Sequence, residues 1–164
     1  MDLIFREPTI DDYNLVKGIW EDKETMAAVG GIHELSESRY VSWYHSIIEA
    51  GCDDHKYLLI MLGDECVGEV SFHRFDSAAG TAELNIKILA GMRNRGIGKK
   101  ALDHILRIFF HEWHGQKITD RLGKDNHEGY RALIAYGFSE ISRDGETVLM
   151  ALSKSDYERL RKTC

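Results

Sequence analysis

The densest group of chemically informative residues is Arg93-Asn94-Arg95-Gly96-Ile97-Gly98, which follows a strand-like run and precedes an amphipathic stretch. Glycines let a backbone approach a phosphate closely, and the first N–H groups of a helix have no partner within that helix. The two arginines add positive charge where a doubly phosphorylated ligand would lie. The segment predicts an anion site at a helix N-terminus, and an ordinary glycine turn with solvated arginines is the alternative.

The same glycines also fit a dinucleotide-binding fingerprint. Gly96, Gly98 and Ala101 have the spacing Gly-x-Gly-x-x-Ala, and Asp120 follows 22 residues after Gly98 at the end of a predicted strand. However, residues 91–95 separate the preceding strand from Gly96, whereas the first glycine of the fingerprint usually follows its strand almost directly. Only one strand-helix unit is visible, and two arginines suit a more heavily phosphorylated ligand. We therefore rank a nucleotide-dependent oxidoreductase third among the functions considered.

Two further clusters could in principle bind a metal ion. His111-Glu112-Trp113-His114 lacks the spacing of a His-Glu-x-x-His zinc site, because Gly115 occupies the position of the second histidine. Cys52-Asp53-Asp54-His55 contains ligand types, but four adjacent residues rarely converge on one ion. No metal is therefore expected at either cluster.

The elements that must position these residues form one predicted domain of 164 residues, 1–164. The patterns predict a strand, two helices, three strands, a helix, a strand, a helix, two strands and a helical tail from Ser153. Because antiparallel hairpins interrupt the strand-helix alternation, a doubly wound fold is excluded. The expected class is α+β (mixed α/β), with a mixed, mostly antiparallel central sheet and helices on both faces. The predicted strands are 3–6, 55–62, 66–75, 81–89, 117–122, 138–142 and 147–152; the helices are 9–20, one from Ser36, 99–113 and 126–136, with 26–35 as a loop.

Composition and charge limit the classes of molecule that this protein is expected to bind. A net charge of −6 argues against a nucleic-acid partner and is compatible with a cationic amine, although it also serves solubility. The apolar runs, such as residues 57–62, are shorter than the ~20 residues that cross a bilayer, and residues 1–7 do not resemble a secretory signal. Three scattered cysteines, Cys52, Cys66 and Cys164, favour a reducing cytoplasm, and Cys66 is expected to be a buried small hydrophobe.

Two separated motifs resemble the GNAT superfamily of acetyltransferases. The first is [Arg/Gln]-x-x-Gly-x-[Gly/Ala] after a strand, which Arg93, Gly96 and Gly98 fill without a gap. The second is an asparagine followed eleven and twelve residues later by Gly-Phe, here Asn126, Gly137 and Phe138. The predicted order of elements also matches the family fold, so the resemblance covers nearly the whole chain. It is similar to the subgroup of ribosomal-protein N-terminal and antibiotic-modifying acetyltransferases, whose fourth strand carries Ala-Glu-(aliphatic)-Gly where residues 82–85 read Ala-Glu-Leu-Asn.

The resemblance implies acetyl-CoA as cosubstrate and assigns residues to it. Asn126 would hydrogen-bond the cofactor near the start of its helix. The backbone of the fourth strand would pair with the pantetheine arm at Ile86, Ile88 and Leu89. Backbone N–H groups would hold the pyrophosphate at Arg93, Asn94, Arg95, Gly96, Ile97, Gly98 and Lys99.

Acyl transfer to an amine also needs a base and an acid. Glu83 is the leading base, because it lies on the strand that leads to the glycine loop and its family counterpart often lines the acceptor side; Glu69 and His73 are alternatives. The acid is less defined, because Leu133 occupies the usual tyrosine position and Gly129 that of the subgroup's serine.

Counting 100° per residue from Asn126 places Tyr130 on the cofactor side, which makes it the candidate acid; packing in the core, with water as the acid, is the alternative.

The sequence therefore predicts a single-domain N-acetyltransferase that acetylates a primary amine in a direct ternary complex. The expected acceptor is a small molecule or a protein N-terminus, with no nucleic-acid or membrane partner, and a homodimer is the assembly considered. A catalytically silent acyl-CoA-binding module is the alternative, motivated by the missing tyrosine and serine.

Overall fold

One seven-stranded sheet organises the chain, and its computed structural model describes residues 2–51 and 53–162. Within these described residues, six α-helices accompany the sheet. The strands are β1 (Leu3–Arg6), β2 (Lys56–Leu62), β3 (Glu65–Asp76), β4 (Thr81–Ile88), β5 (Lys117–Gly123), β6 (Ser139–Arg143) and β7 (Thr147–Ser153). The helices are α1 (Tyr13–Trp20), α2 (Lys23–Ala27), α3 (Glu37–Trp43), α4 (Ile97–Arg107), α5 (His127–Tyr136) and α6 (Lys154–Lys162).

The strand order is β1-β2-β3-β4-β5-β7-β6, and each neighbouring pair is antiparallel except β4 and β5. The connection from β4 to β5 contains α4, as a crossover between parallel strands requires. This is the mixed, mostly antiparallel sheet that the sequence predicts.

Helices cover both faces of the sheet, as predicted. On one face, α4, α5 and α6 enclose a core that includes Phe72, Ile105, Phe109 and Leu133. On the other face, α1 and α3 pack on β2 through a smaller aromatic cluster that includes Tyr40. The apolar stripe that the sequence identifies on α4 is buried throughout. Cys66 is also buried, as expected, whereas Cys52 and Cys164 lie outside the described residues.

The helix boundaries differ from the prediction for local reasons. Helix α1 begins at Tyr13 rather than near Thr9, because Asp12 accepts two hydrogen bonds from Arg6, at 2.7 and 2.9 Å, and one from the Thr9 backbone N–H. The expected loop at 26–35 begins inside α2, whose N-cap Asp22 accepts from the Thr25 N–H at 2.7 Å. A five-residue helix is too short to show periodicity in a sequence.

Two helices continue into π-helical turns, α3 over Tyr44–Glu49 and α4 over Ile108–Glu112. Helix α4 also begins at Ile97, two residues before the predicted start. Its N-cap is Gly96, with φ of 78°, a left-handed conformation that glycine adopts without steric cost. The loop between β4 and α4 therefore turns abruptly into the helix, with the helix N-terminus exposed at the end of β4.

Candidate active site

The sheet opens between β4 and β5. These strands pair only at Thr81–Lys117, Ala82–Ile118 and Glu83–Thr119. Beyond Glu83, β4 is hydrogen-bonded to β3 alone, and beyond Thr119, β5 is hydrogen-bonded to β7 alone. A cleft of about 1560 Å³ fills the gap and continues to the N-terminus of α4. Its volume exceeds the roughly 300–1,000 Å³ of most ligand sites, so it can hold a large or two-part ligand.

The backbone of β4 presents polar groups to this gap, of which the Ile88 carbonyl also accepts from Arg93 Nε at 3.3 Å. The N–H of Leu89 donates to the carbonyl of Val67 on β3 at 3.0 Å. Since the direction of backbone groups alternates along a strand, those of Ile86 and Ile88 point away from β3, into the gap. Both residues line the cleft, and their pairing with a ligand arm stays a prediction.

Leu89 is placed differently from the prediction. Its N–H is used by Val67, and its carbonyl accepts from the Met92 N–H at 2.8 Å, in the 3-10 turn that follows β4. It also does not line the cleft. Its backbone groups are therefore already paired, and a strand-like interaction with a ligand ends at Ile88.

The loop beyond β4 forms a concave row of N–H groups. None of the six N–H groups from Asn94 to Lys99 donates to a protein acceptor within the described residues. Asn94, with φ of 61°, and Gly96, with φ of 78°, curl the backbone so that successive N–H groups converge. Such a nest at a helix N-terminus attracts an anion. Asn94, Ile97, Gly98 and Lys99 line the cleft, whereas Arg95 and Gly96 lie just outside its lining.

The arginine that begins this loop has a structural task. Arg93 donates through Nε to the Ile88 carbonyl at 3.3 Å and through Nη2 to the Thr25 carbonyl at 3.3 Å. Its remaining nitrogen lies 3.5 Å from the Glu128 carboxylate. The guanidinium thus ties β4, α2 and α5 together around the cleft. This fixes the N–H row in place, although the sequence suggested only a direct charge interaction.

Asn126 borders the same cleft at the start of α5. Its side-chain oxygen accepts from the Gly129 N–H at 3.0 Å and caps the helix. In the described part of the chain its amide nitrogen has no protein acceptor, so this nitrogen can donate to a ligand in the cleft.

Glu83 marks the point where β4 and β5 separate. Its carboxylate lies 3.2 Å from Arg74 and 3.3 Å from His73, and its side chain is 46% exposed. Both Glu83 and His73 line the cleft, on the face that carries α1 to α3. The structure therefore brings the predicted base to the inner end of the gap, beside one of its two alternatives.

The other alternative base, Glu69, is fully engaged. Its carboxylate accepts from Trp20 at 2.9 Å, from Lys87 at 2.5 Å and from the Tyr57 hydroxyl. Glu69 is buried and does not line the cleft, whereas Lys87 does. Burial and the neighbouring Glu69 charge raise the pKa of Tyr57 well above its ordinary value, which keeps the phenol protonated as a donor. Glu69 therefore positions Lys87 and has no unpaired oxygen with which to accept a substrate proton.

Tyr130 lies apart from this group. It does not line the cleft; its ring lies 5.7 Å from the Arg143 guanidinium, and hydrogen bonding to Glu140 raises the pKa of its phenol. The expected helical face is wrong because Asn126 is the N-cap, with ψ of 67°, so the 100° rotation cannot be counted from it. The residues of α5 that line the cleft are Glu128, Gly129, Ala132, Leu133, Ala135 and Tyr136.

One carboxyl group of the cleft was not predicted from the sequence as an acid or a base. Asp120 on β5 is only 8% exposed and lines the cleft. Burial raises its pKa to about 7, against a smaller opposite effect of the Arg121 backbone N–H and Lys87. The alternation of buried and exposed residues along β5 could have identified it, because Asp120 occupies a core-facing position between Ile118 and Leu122. The sequence pattern that includes Asp120 is the dinucleotide-binding fingerprint, which predicts no acid or base at this position.

Two absences complete the description. In the part of the chain that the structure describes, no three His, Cys, Asp or Glu side chains are placed to hold a metal ion. Across residues 2–51 and 53–162, no helix combines the length and the apolar character needed to cross a membrane.

Comparison with known proteins gives one family match. A family model described as an acetyltransferase (GNAT) domain matches residues 2–139. A comparison with curated proteins gave no match.

Several solved structures share the fold. Spermidine N-acetyltransferase from Vibrio cholerae, crystallised with CoA and spermine, is 16% identical with a TM-score of 0.84, covering 95% of this chain and 98% of that chain. PaiA N-acetyltransferase from Thermoplasma acidophilum, in complex with coenzyme A, is 15% identical with a TM-score of 0.73, covering 93% and 99%. A GNAT-family acetyltransferase from Bacillus anthracis is 18% identical with a TM-score of 0.74, covering 93% and 95%. At these identities the structural likeness establishes the fold.

Proposed function

The chain belongs to the GNAT family of acetyltransferases, and from this premise we propose that it transfers the acetyl group of acetyl-CoA to a primary amine. The acceptor is a small molecule or a protein N-terminus, and attack occurs directly within a ternary complex. The observation that carries the proposal is the continuous path from the β4–β5 gap to the N–H row at α4.

The chemistry of this path fits acetyl-CoA. An extended amide-containing arm can pair with the β4 backbone at Ile86 and Ile88, and a pyrophosphate can accept from the N–H groups between Asn94 and Lys99. Asn126 can donate to the cofactor from the opposite side through its amide nitrogen. When bound, acetyl-CoA supplies the activated acetyl group.

Proton removal from the amine falls to Glu83. An amine with a pKa near ~10.4 is only about one part in a thousand neutral at pH 7–7.5, so a base within reach raises the reactive fraction. Glu83 lies at the inner end of the gap, and Arg74 and His73 orient its carboxylate. The proton leaves the amine for this carboxylate, directly or through a water molecule.

The acceptor side of the cleft is the face that carries α1 to α3. Its lining carries the carboxylates of Glu34 and Glu83 beside the cations Arg39 and Lys87. Since Lys87 is paired with Glu69, the two carboxylates can bind a cationic amine. Since the structurally similar Vibrio cholerae enzyme is a spermidine N-acetyltransferase, polyamines belong in the first acceptor panel, beside amino sugars and peptides with free N-termini.

Two measurements on the intact protein test the function. Acetyl-CoA at a hundredfold excess over its dissociation constant should stabilise the fold by about 2.7 kcal/mol, visible as a rise in melting temperature. Free thiol should then appear when an accepted amine is added. A thermal shift without thiol release for any amine supports the silent acyl-CoA-binding module, and no thermal shift contradicts both functions.

Replacing the proposed base tests the chemistry. Glu83→Gln should lower turnover about 10²-fold at neutral pH, the lower part of the range for a positioned acid or base. The loss should shrink as the pH approaches the amine pKa, because the amine then needs no base. The matched control is Glu65→Gln, an exposed carboxylate at the turn between β2 and β3. A loss that is equal at every pH would assign Glu83 to packing or substrate polarity instead.

A further inference from the structure

Asp120 is the first residue of β5 beyond the last pair with β4, which is Glu83–Thr119. It therefore borders the inner end of the gap, directly across from the start of the free β4 edge. From Leu84 to Ile88 the strand rises about 13 Å at ~3.3 Å per residue. An arm anchored at the α4 N-terminus and extended along this edge ends beside Asp120.

The carboxyl group of Asp120 is buried without a side-chain partner. It is 8% exposed, and among the described residues its hydrogen-bond donor is the Arg121 backbone N–H, with no side-chain donor. A buried carboxylate that lacks a cation or several donors is costly, so such groups take up a proton. This agrees with its pKa of about 7, which burial raises from the ordinary value of 3.8.

Asp120 also lies on the side of the sheet where a proton donor is missing. It projects to the same face as Ile118 and Leu122, which share a core with Leu133 of α5. Asp120 and Leu133 both line the cleft. Leu133 stands where the family resemblance places a tyrosine, and an aliphatic side chain cannot donate a proton.

We propose that Asp120 is a catalytic residue that donates its proton to the departing thiolate of coenzyme A. The inference rests on the proposed acetyl transfer. The amine nitrogen forms a bond to the thioester carbonyl carbon, and the carbon–sulfur bond breaks with its electron pair going to sulfur. The Asp120 proton passes to sulfur and gives the free thiol. Glu83 first takes the ammonium proton and releases it to solvent, and then takes the proton that the nitrogen loses after attack. Solvent then restores a proton to Asp120 and removes one from Glu83.

The surrounding charges allow this role. Lys87 and the Arg121 backbone N–H act directly on the Asp120 carboxyl group. Other charged or titratable groups that line the same cleft include Glu83 on β4, Asp103 on α4, Tyr136 on α5, and Tyr157 and Arg161 on α6. Most of these are paired elsewhere. Lys87 contacts Glu69, the Tyr136 hydroxyl donates to Asp103 at 2.9 Å, and Arg161 donates to the Tyr157 hydroxyl at 3.1 Å. Among the described residues, Asp120 therefore remains the buried cleft carboxyl group that has a backbone N–H donor but no side-chain partner.

The kinetic test is Asp120→Asn, which keeps the shape of the side chain. Its kcat should fall about 10²-fold, as for a lost acid, with acetyl-CoA affinity changed less than about threefold. In the wild type, kcat/KM should decline as the pH rises past about 7, because the free enzyme loses this proton. The variant should lack that decline. Asp64→Asn, an exposed carboxylate in the turn between β2 and β3, is the matched control.

A second measurement does not depend on activity. Because the folded-state pKa of Asp120 is raised, ionisation opposes folding above the ordinary pKa, and this penalty is complete above about pH 7. Asparagine carries no such penalty. Asp120→Asn should therefore raise the melting temperature near pH 8 and change it little near pH 4, whereas Asp64→Asn should do neither.

The outcomes separate the two claims. A wild type that releases no thiol with any amine overturns the acetyltransferase function itself. An active wild type whose rate and pH profile survive Asp120→Asn overturns only the role of Asp120. Loss in Tyr130→Phe but not in Asp120→Asn would assign the proton donor to Tyr130, against the structure. A parallel fall in kcat and acetyl-CoA affinity would mean that Asp120 holds the cofactor and does not donate the proton.

Discussion

Gly98→Val is expected to reduce acetyl-CoA affinity about 10³-fold while the protein stays folded. Gly98 is the second residue of α4 and lies in the cleft wall, within the row of free N–H groups. A Cβ added there meets no atom within 4 Å, so valine fits the protein alone. It would instead occupy the space of the pyrophosphate. Losing two charge-assisted hydrogen bonds of about 1.5–3 kcal/mol each gives a loss of this size.

The matched control is Gly18→Val, because Gly18 also lies within a helix with no atom within 4 Å of an added Cβ and does not line the cleft. Titration of each variant with acetyl-CoA by calorimetry gives the affinities, and circular dichroism checks the fold. Gly96→Val is a weaker test, since φ of 78° makes valine strained at that position whatever binds. Unchanged binding in folded Gly98→Val would overturn the location of the pyrophosphate.

Much of this site was accessible from the sequence because its signals are local. A glycine-rich loop that opens a helix, and the alternation that places Ile86 and Ile88 on one strand edge, depend on residues close together in the chain. The hairpin turns and the buried stripe of α4 are local in the same way. This locality explains why the sheet class is confirmed. The pyrophosphate site at the N–H row stays a prediction, and the row begins at Asn94 because the Arg93 N–H donates to the Ala90 carbonyl.

The remaining features depend on how distant segments meet. Strands β4 and β5 separate after the pair Glu83–Thr119, whose two residues are 36 positions apart in the chain. No sequence motif marks the point of separation. Leu89 was misplaced because the chain leaves β4 at Ile88 for a 3-10 turn, whose hydrogen bonds occupy both of its backbone groups. Tyr130 was misplaced because a cap residue was counted as helical.

The role of Arg93 was also not predicted, because it depends on contacts between distant segments of the chain. Its sequence position beside two glycines indicated a phosphate ligand, but its contacts reach Thr25 and Glu128, which lie far away in the chain. A buried acid such as Asp120 breaks the apolar alternation of its strand, and such breaks are expected at functional sites. Asp120 is therefore a candidate functional residue that motif matching overlooks, and the Asp120→Asn variant tests it.

Lys87→Met should cost the fold about 3–5 kcal/mol at neutral pH, because it leaves the buried Glu69 charge without its cation. The side chains of Glu69 and Lys87 are 3% and 11% exposed, and their charged atoms lie 2.5 Å apart. Trp20 and Tyr57 still donate to Glu69, but neutral donors compensate a buried charge only in part. Unfolding in urea gives the difference in unfolding free energy between the variant and the wild type.

A double variant isolates the cause of this loss. Glu69→Gln/Lys87→Met removes both charges and keeps an acceptor for Trp20 and Tyr57, so it should recover most of the stability. If the double variant is no more stable than Lys87→Met, the loss comes from packing of the lysine stem rather than from an unpaired charge.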